Sequence, residues 1–273
     1  MSKIIDGKKI AKEIETELTS QVSLMSVPPK LSVVQIGDDP ASASYIKAKA
    51  NAASRVGIKL THHHLSKEIN INELEKLVDK LNKTEDGLII QLPIPKSLES
   101  VLERIKPEND VDGFHSENLG KLVQGIHGMV PCTPAGIIEL LYRSGNDPEG
   151  KHVVVVGRST IVGTPLSLLL SQKGVDATVT LCHSRTKSLH EHCKQADILV
   201  AAVGKANMIT KDMVKPGAVI IDVGVNRTSE GLVGDVSYDV RDVASQITPV
   251  PGGVGPMTVV MLMSNTVKSA LEN

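Results

Sequence analysis

Two blocks of strand–helix alternation, joined by a proline-rich irregular stretch, predict an α/β protein built as two α/β domains. Three observations carry this expectation. Short β-branched runs alternate with helical runs on both sides of the stretch 107–133, and such alternation builds a parallel sheet covered by helices. The 273 residues are too many for one small core and fit two lobes, or a single larger domain. The core must also be aliphatic. With three Tyr, one Phe and no Trp, burial falls to Val, Ile, Leu, Ala and Met, and any buried Tyr hydroxyl needs a partner or a task.

In chain order, Ile10, Ile14, Leu18 and Val22 recur every four residues and predict a helix over 3–25. Pro28-Pro29 closes it. Strand 31–36 stops at the turn cluster Gly37-Asp38-Asp39-Pro40. A helix follows over 42–56, with Ser42 as N-cap, then strand 59–65, helix 71–82 and strand 87–92. The stretch 107–133 reads as loop, with a domain boundary near residue 122. Thr133 and Pro134 then suit the cap and first position of a helix over 134–144. The second block gives strand 152–157, helix 164–173, strand 177–182, helix 187–194, strand 197–203 and strand 218–223. The loop Thr248–Pro256 precedes a last helix, 257–271.

Composition excludes several classes. Lys plus Arg number 30 and Asp plus Glu 31, so no general field draws the chain to nucleic acid or to an anionic membrane. The first residues carry charge at once and show no apolar leader segment, and no apolar run approaches a membrane span. Cys132, Cys182 and Cys193 are odd in number and form no CxxC pair. A disulfide framework and a zinc site are therefore not expected, and a cytoplasmic location is. His62-His63-His64 lies on a strand, where successive side chains alternate faces, so it is not a metal cluster by spacing.

The run Val153-Val154-Val155-Val156-Gly157-Arg158-Ser159-Thr160-Ile161-Val162-Gly163 is a buried strand entering a glycine turn and a helix. Backbone N–H groups at such a helix start can face a phosphate. The spacing is GxSxxxG rather than GxGxxG. The next strand ends at Cys182-His183-Ser184-Arg185, where a domain that prefers NAD places an acid for the ribose hydroxyls. Arg158, Ser184 and Arg185 suit a 2′-phosphate instead, which predicts NADP. The strand 218–223 ends in the run Ile221-Asp222-Val223-Gly224-Val225-Asn226, on the side of the sheet that lines a cofactor crevice.

In the first block, Tyr45 and Lys49 lie four apart on a helix and share a face. A phenol beside an ammonium can pass protons. The same YxxxK spacing marks short-chain dehydrogenases, but there it follows the glycine turn, whereas here it precedes Gly157. Gln91-Leu92-Pro93 sits just past a strand, and Asp110 and Asp112 sit in the proline-rich loop, where a carboxylate suits a ring carrying adjacent N–H groups. Singly, each of these is more often a solvated lysine, a loop amide or a turn aspartate.

Together the segments are far more specific. The stretches Ala41–Tyr45 through Lys49, Gln91–Pro93, Asp110–Phe114, Pro131–Pro134, Gly157–Ser159 with Ile161–Gly163, and Pro249–Thr258 closely resemble the bifunctional methylenetetrahydrofolate dehydrogenase/methenyltetrahydrofolate cyclohydrolase family across nearly the whole chain. The resemblance implies two α/β domains around a cleft. The first, 1–121, would bind folate and be completed by the C-terminal segment 256–273. The second, 122–255, would be a Rossmann-type NADP-binding domain. The resemblance also implies a homodimer acting on tetrahydrofolate derivatives. Lys49 would transfer protons, Gln91 would orient it, Tyr45 would lie beside the folate and Asp112 would hold the pterin. Leu92, Pro93 and the loop Pro251-Gly252-Gly253-Val254 would border the substrate. Gly157, Arg158, Ser159, Ser184, Arg185 and Val225 would line the cofactor.

The implied chemistry is NADP-dependent oxidation of 5,10-methylenetetrahydrofolate, a step that positioning can supply, followed by hydrolysis of the methenyl cation to 10-formyltetrahydrofolate. Two other readings stand beside it. A shikimate-type dehydrogenase has a similar order of lobes but no use for Asp112 or the Pro-Gly-Gly loop. A non-catalytic dinucleotide sensor would have no use for Tyr45, Lys49, Gln91 and Asp112 together.

Overall fold

The structure, a computed structural model, describes residues 2–126, 128–229 and 231–272, with backbone alone at Pro40 and Ala41. Met1 and Asn273, the outer bounds of the expected domains, lie outside the described residues. The elements run in the order β1 (Lys3–Ile4), α1 (Gly7–Ser23), β2 (Lys30–Ile36), α2 (Pro40–Val56), β3 (Lys59–Leu65), α3 (Ile71–Thr84), β4 (Gly87–Ile90), α4 (Ser116–Gln124) and α5 (Cys132–Arg143). They continue with β5 (His152–Val156), α6 (Gly163–Ser171), β6 (Thr178–Cys182), α7 (Leu189–Lys194), β7 (Ile198–Ala201), β8 (Val219–Asp222), β9 (Asn226–Thr228), β10 (Gly231–Val233), β11 (Gln246–Ile247) and α8 (Val254–Glu272). The expected α/β class is borne out.

The chain divides into two units. One holds Lys12–Cys132 and Val259–Asn273; the other holds Met1–Ala11 and Thr133–Thr258. Both α1 and α8 therefore begin in the second of these and end in the first.

The first unit is built on a parallel sheet ordered β3-β2-β4. The central strand β2 is buried from Leu31 to Ile36, and its buried Ser32 and Gln35 are satisfied by His63 and by the Gly37 carbonyl and His62. Leu74, Val78 and Leu81 of α3 cover one face against Val34, Leu88 and Ile90. The edge strand β3 carries His62, His63 and His64, which bond to Gln35, Ser32 and the Gly37 carbonyl respectively. Asn265 of α8 donates to the carbonyls of Val111 and Val130, both at 2.9 Å. Ser269 donates to those of Asp86 and Glu108. The last helix thus ties down the loop around Asp112.

The other unit has a six-stranded sheet ordered β1-β11-β8-β7-β5-β6, parallel throughout. Strand order reverses at β5, where the next strand, β6, lies on one side and the later β7 and β8 on the other. That is the switch point at which open α/β sheets bind ligands, outside the carboxyl ends of the strands. Val153–Val156, Leu199–Ala201 and Ile220 are almost wholly buried.

Several local expectations change. Residues 3–4 are an edge strand paired to β11 rather than the start of a helix, because a sheet edge was available to satisfy their backbone. Ser42 lies inside α2. The cap is Asp39, whose carboxylate accepts from Ser42 N at 3.0 Å and Ser42 Oγ at 2.8 Å, which puts Pro40 at the first helical position. Thr133 does not cap α5 either; its hydroxyl pairs with that of Thr258 at 2.8 Å. The expected loop 107–133 contains α4, capped by the His115 ring at one end and by left-handed Gly125 at the other. No helix among the described residues is long and apolar enough to cross a membrane.

Candidate functional site

In the first unit, α2 and the end of β4 bring two expected residues into contact. The Lys49 ammonium donates to Gln91 Oε1 at 3.0 Å. Gln91 is itself fixed, since its backbone N–H donates to Val34 O at 2.8 Å and its side-chain amide donates to Leu92 O at 3.0 Å. The peptide between Leu92 and Pro93 is cis. Tyr45 lies one helical turn before Lys49 and is 51% exposed.

Asp110 and Asp112 separate clearly. Asp110 is buried and accepts from His115 N at 2.8 Å and Asn118 Nδ2 at 3.0 Å. Burial raises its carboxyl above the usual range. It is a lock for the loop. Asp112 stays half-buried, and the glycine after it, Gly113, has φ +78, with the Val130 backbone where a Cβ would lie. Only glycine fits that bend, directly after Asp112.

Cys132 lies in the stretch Pro131–Pro134, and the sequence assigns it no role. Its thiol is buried, donates to Val111 O at 3.2 Å, and lies within the fields of both Asp112 and Lys49. Burial, with Asp112 adding to it, holds the thiol protonated far above its ordinary range. It is therefore an apolar, proton-holding wall rather than a nucleophile.

In the other unit, every residue expected to line the cofactor falls at the carboxyl edge of one sheet. Gly157, Arg158 and Ser159 follow β5. Ser184 and Arg185 follow β6, which pairs with β5 through Val156 and Cys182. Val225 follows β8. Arg158, Ser159, Ser184, Arg185 and Val225 are exposed.

Gly157 has φ +122, and a Cβ there would run into the Ala202 carbonyl. A Cβ on Gly163 would meet the Gly157 carbonyl. The turn is therefore closed to side chains, which leaves its backbone free to approach a pyrophosphate. The N-cap of α6 is Val162, which offers no side-chain oxygen. No acid follows β6. On these grounds the residues fit a dinucleotide carrying a 2′-phosphate.

Pro251–Val254 follow β11 on the same sheet edge. Gly252 has φ +109, and its carbonyl accepts from Lys8 N at 3.1 Å.

Sequence reasoning gave no role to Asp222, the last residue of β8, or to Asp235, just past β10; both are buried carboxylates. The signal was there in Gly224 and Gly234, which leave the space these carboxylates fill.

The model of the tetrahydrofolate dehydrogenase/cyclohydrolase catalytic domain matches residues 5–112. That of the tetrahydrofolate dehydrogenase/cyclohydrolase NAD(P)-binding domain matches residues 131–273. The chain belongs to the tetrahydrofolate dehydrogenase/cyclohydrolase family.

Among relatives, it is 52% identical to the bifunctional protein FolD of Brevibacillus brevis, over 98% of this chain and 96% of that one. Among solved structures, it is similar to the bifunctional FolD methylenetetrahydrofolate dehydrogenase/cyclohydrolase of Campylobacter jejuni. There the TM-score is 0.96 at 42% identity, covering 100% of this chain and 99% of that one. The Trypanosoma brucei enzyme, solved with NADP and an inhibitor, gives a TM-score of 0.92 at 38% identity, covering 100% and 99%.

Proposed function

We propose that this chain oxidises 5,10-methylenetetrahydrofolate with NADP and then hydrolyses the methenyl product to 10-formyltetrahydrofolate. The observation that carries this reading is the Lys49–Gln91 contact at 3.0 Å, in a chain of this family whose β5 turn fits a dinucleotide. NADP, when bound, supplies the hydride acceptor.

Loss of hydride from the one-carbon bridge releases no proton, so the chain's part in that step is to hold the folate. Asp112 pairs with the N–H groups of the pterin. Tyr45, Leu92, Pro93 and the Pro251–Val254 segment border the substrate. Hydration of the methenyl carbon releases a proton, and opening of the ring delivers one to the departing nitrogen. Lys49 carries these transfers, with Gln91 holding its ammonium in place and Cys132 adding no competing charge. Gly157, Arg158, Ser159, Ser184, Arg185 and Val225 hold the cofactor, with the arginines on the 2′-phosphate. In this reading residues 1–121 with 256–273 serve the folate and 122–255 the cofactor, and the protein is a cytoplasmic homodimer.

One preparation supplied with 5,10-methylenetetrahydrofolate and NADP tests the reading. It should form NADPH and consume added methenyltetrahydrofolate. Turnover of shikimate with no turnover of folate would overturn it.

A further inference from the structure

The fold spends an unusual amount of hydrogen bonding on one residue that the reaction does not consume. Asp235 is fully buried. Its Oδ2 accepts from Val203 N at 2.6 Å and Gly204 N at 2.9 Å. Its Oδ1 accepts from Lys205 N and from Asn226 Nδ2, each at 2.9 Å. Three successive backbone N–H groups thus converge on a single carboxylate. Asp235 is held in turn: its own N–H donates to Asp222 Oδ1 at 2.9 Å, while Asp222 N donates to Thr248 Oγ1 at 2.8 Å. Gly224 and Gly234 are the spaces in which the two carboxylates lie, since a Cβ on either would overlap one of them.

The segments gripped in this way are walls of the nucleotide crevice. Val203–Lys205 follow β7, next to β5 across the switch point, and the carbonyl of Ala202 packs where a Cβ of Gly157 would lie. Asn226 directly follows Val225, the exposed residue beyond β8. We infer that Asp235 is a positioning residue for NADP: it clamps the loop Val203–Lys205 and the start of β9 so that both crevice walls are preformed. A preformed wall lowers the ordering cost of binding, and a carboxylate accepting four N–H groups suits this role because each bond is charge-assisted.

This inference rests on the dehydrogenase reading, and its test separates the two. Asp235→Asn keeps the shape but turns one acceptor into a donor, which leaves two donors of the walls facing an amide N–H. Asn226→Ala removes one of the four donors and leaves the carboxylate in place. NADPH titration and NADP-dependent kinetics are measured on both. Asp235→Asn is expected to raise the NADPH Kd and the NADP KM by about tenfold or more, with kcat at saturating NADP within about threefold. Asn226→Ala should fall between Asp235→Asn and the unmodified chain.

A merely structural Asp235 would instead lower kcat or Tm with KM unchanged, and that result overturns the inference. If Asp235→Asn does not fold, Asn226→Ala decides alone: a raised Kd supports the clamp and an unchanged Kd refutes it. The Kd arm needs no turnover, so a failure of the folate reading leaves it standing. Conversely, equal NADPH affinity in the variants removes the clamp and leaves the folate reading intact.

Discussion

At the scale of residues, the site divides into groups that the sequence makes legible by type and groups legible only by contact. Lys49, Gln91 and Asp112 could be named because the stretches that hold them, taken together, resemble one family; each by itself reads as a solvated lysine, a loop amide or a turn aspartate. That Asp110 is the buried lock and Asp112 the half-buried carboxylate could not be read, since two aspartates separated by one residue differ only in how deeply the fold buries them. Asp112→Ala should weaken folate binding in both reactions while NADPH binding persists, as titration with each ligand would show; retained folate affinity would reduce Asp112 to a loop residue. The cofactor side has its own test. Arg158 and Arg185 stand exposed at the ends of adjacent strands, where a charge-assisted contact to a 2′-phosphate contributes about 1.5–3 kcal/mol. Replacing each by Ala should raise the KM for NADP roughly ten- to a hundred-fold and leave that for NAD nearly unchanged. Equal effects on both cofactors would refute the assignment.

At the scale of elements, the buried parallel strands were plain, because β2, β5, β7 and β8 carry the aliphatic runs Val33-Val34, Val153–Val156, Ile198–Ala201 and Val219–Ile221. The elements that escaped are those whose stability comes from elsewhere. Strands β1 and β11 are two residues each and exist by pairing. Helix α4 has an internal Gly120 and a histidine cap, and it is anchored by Asn118, which donates to Pro107 O at 2.8 Å. Strand β7 should be among the least tolerant elements: Leu199→Ala is expected to cost about 2–5 kcal/mol, measured by urea unfolding. At the end of β8, burial pushes the Asp222 carboxyl up to about 6, with Asp235 adding to it against the N–H groups it accepts. A carboxyl raised in the folded state stabilises the fold fully below its unfolded pKa and loses that contribution as pH rises through about 6. Unfolding free energy should therefore carry a downward slope between about pH 4 and 6 that Asp222→Asn removes. An unaltered slope in the variant would assign the titration to another group.

At the scale of the whole molecule, the two-block α/β plan was legible because strand–helix alternation repeats on both sides of the proline-rich stretch. What the pattern could not show is that α1 and α8 each cross from one unit to the other, since periodicity records that a helix has an apolar face and not which core receives it. The chain therefore supplies, from separate units, a group suited to proton transfer and a turn suited to a dinucleotide. The central claim is that Lys49 serves hydration of the methenyl carbon and not hydride loss. It is tested by Lys49→Met in a coupled assay that follows NADPH formation and the methenyl chromophore together. The account predicts that cyclohydrolase activity falls by ~10²–10⁴-fold, that dehydrogenase activity falls much less, and that methenyltetrahydrofolate accumulates. Equal loss of both rates, or two unchanged rates, would contradict it.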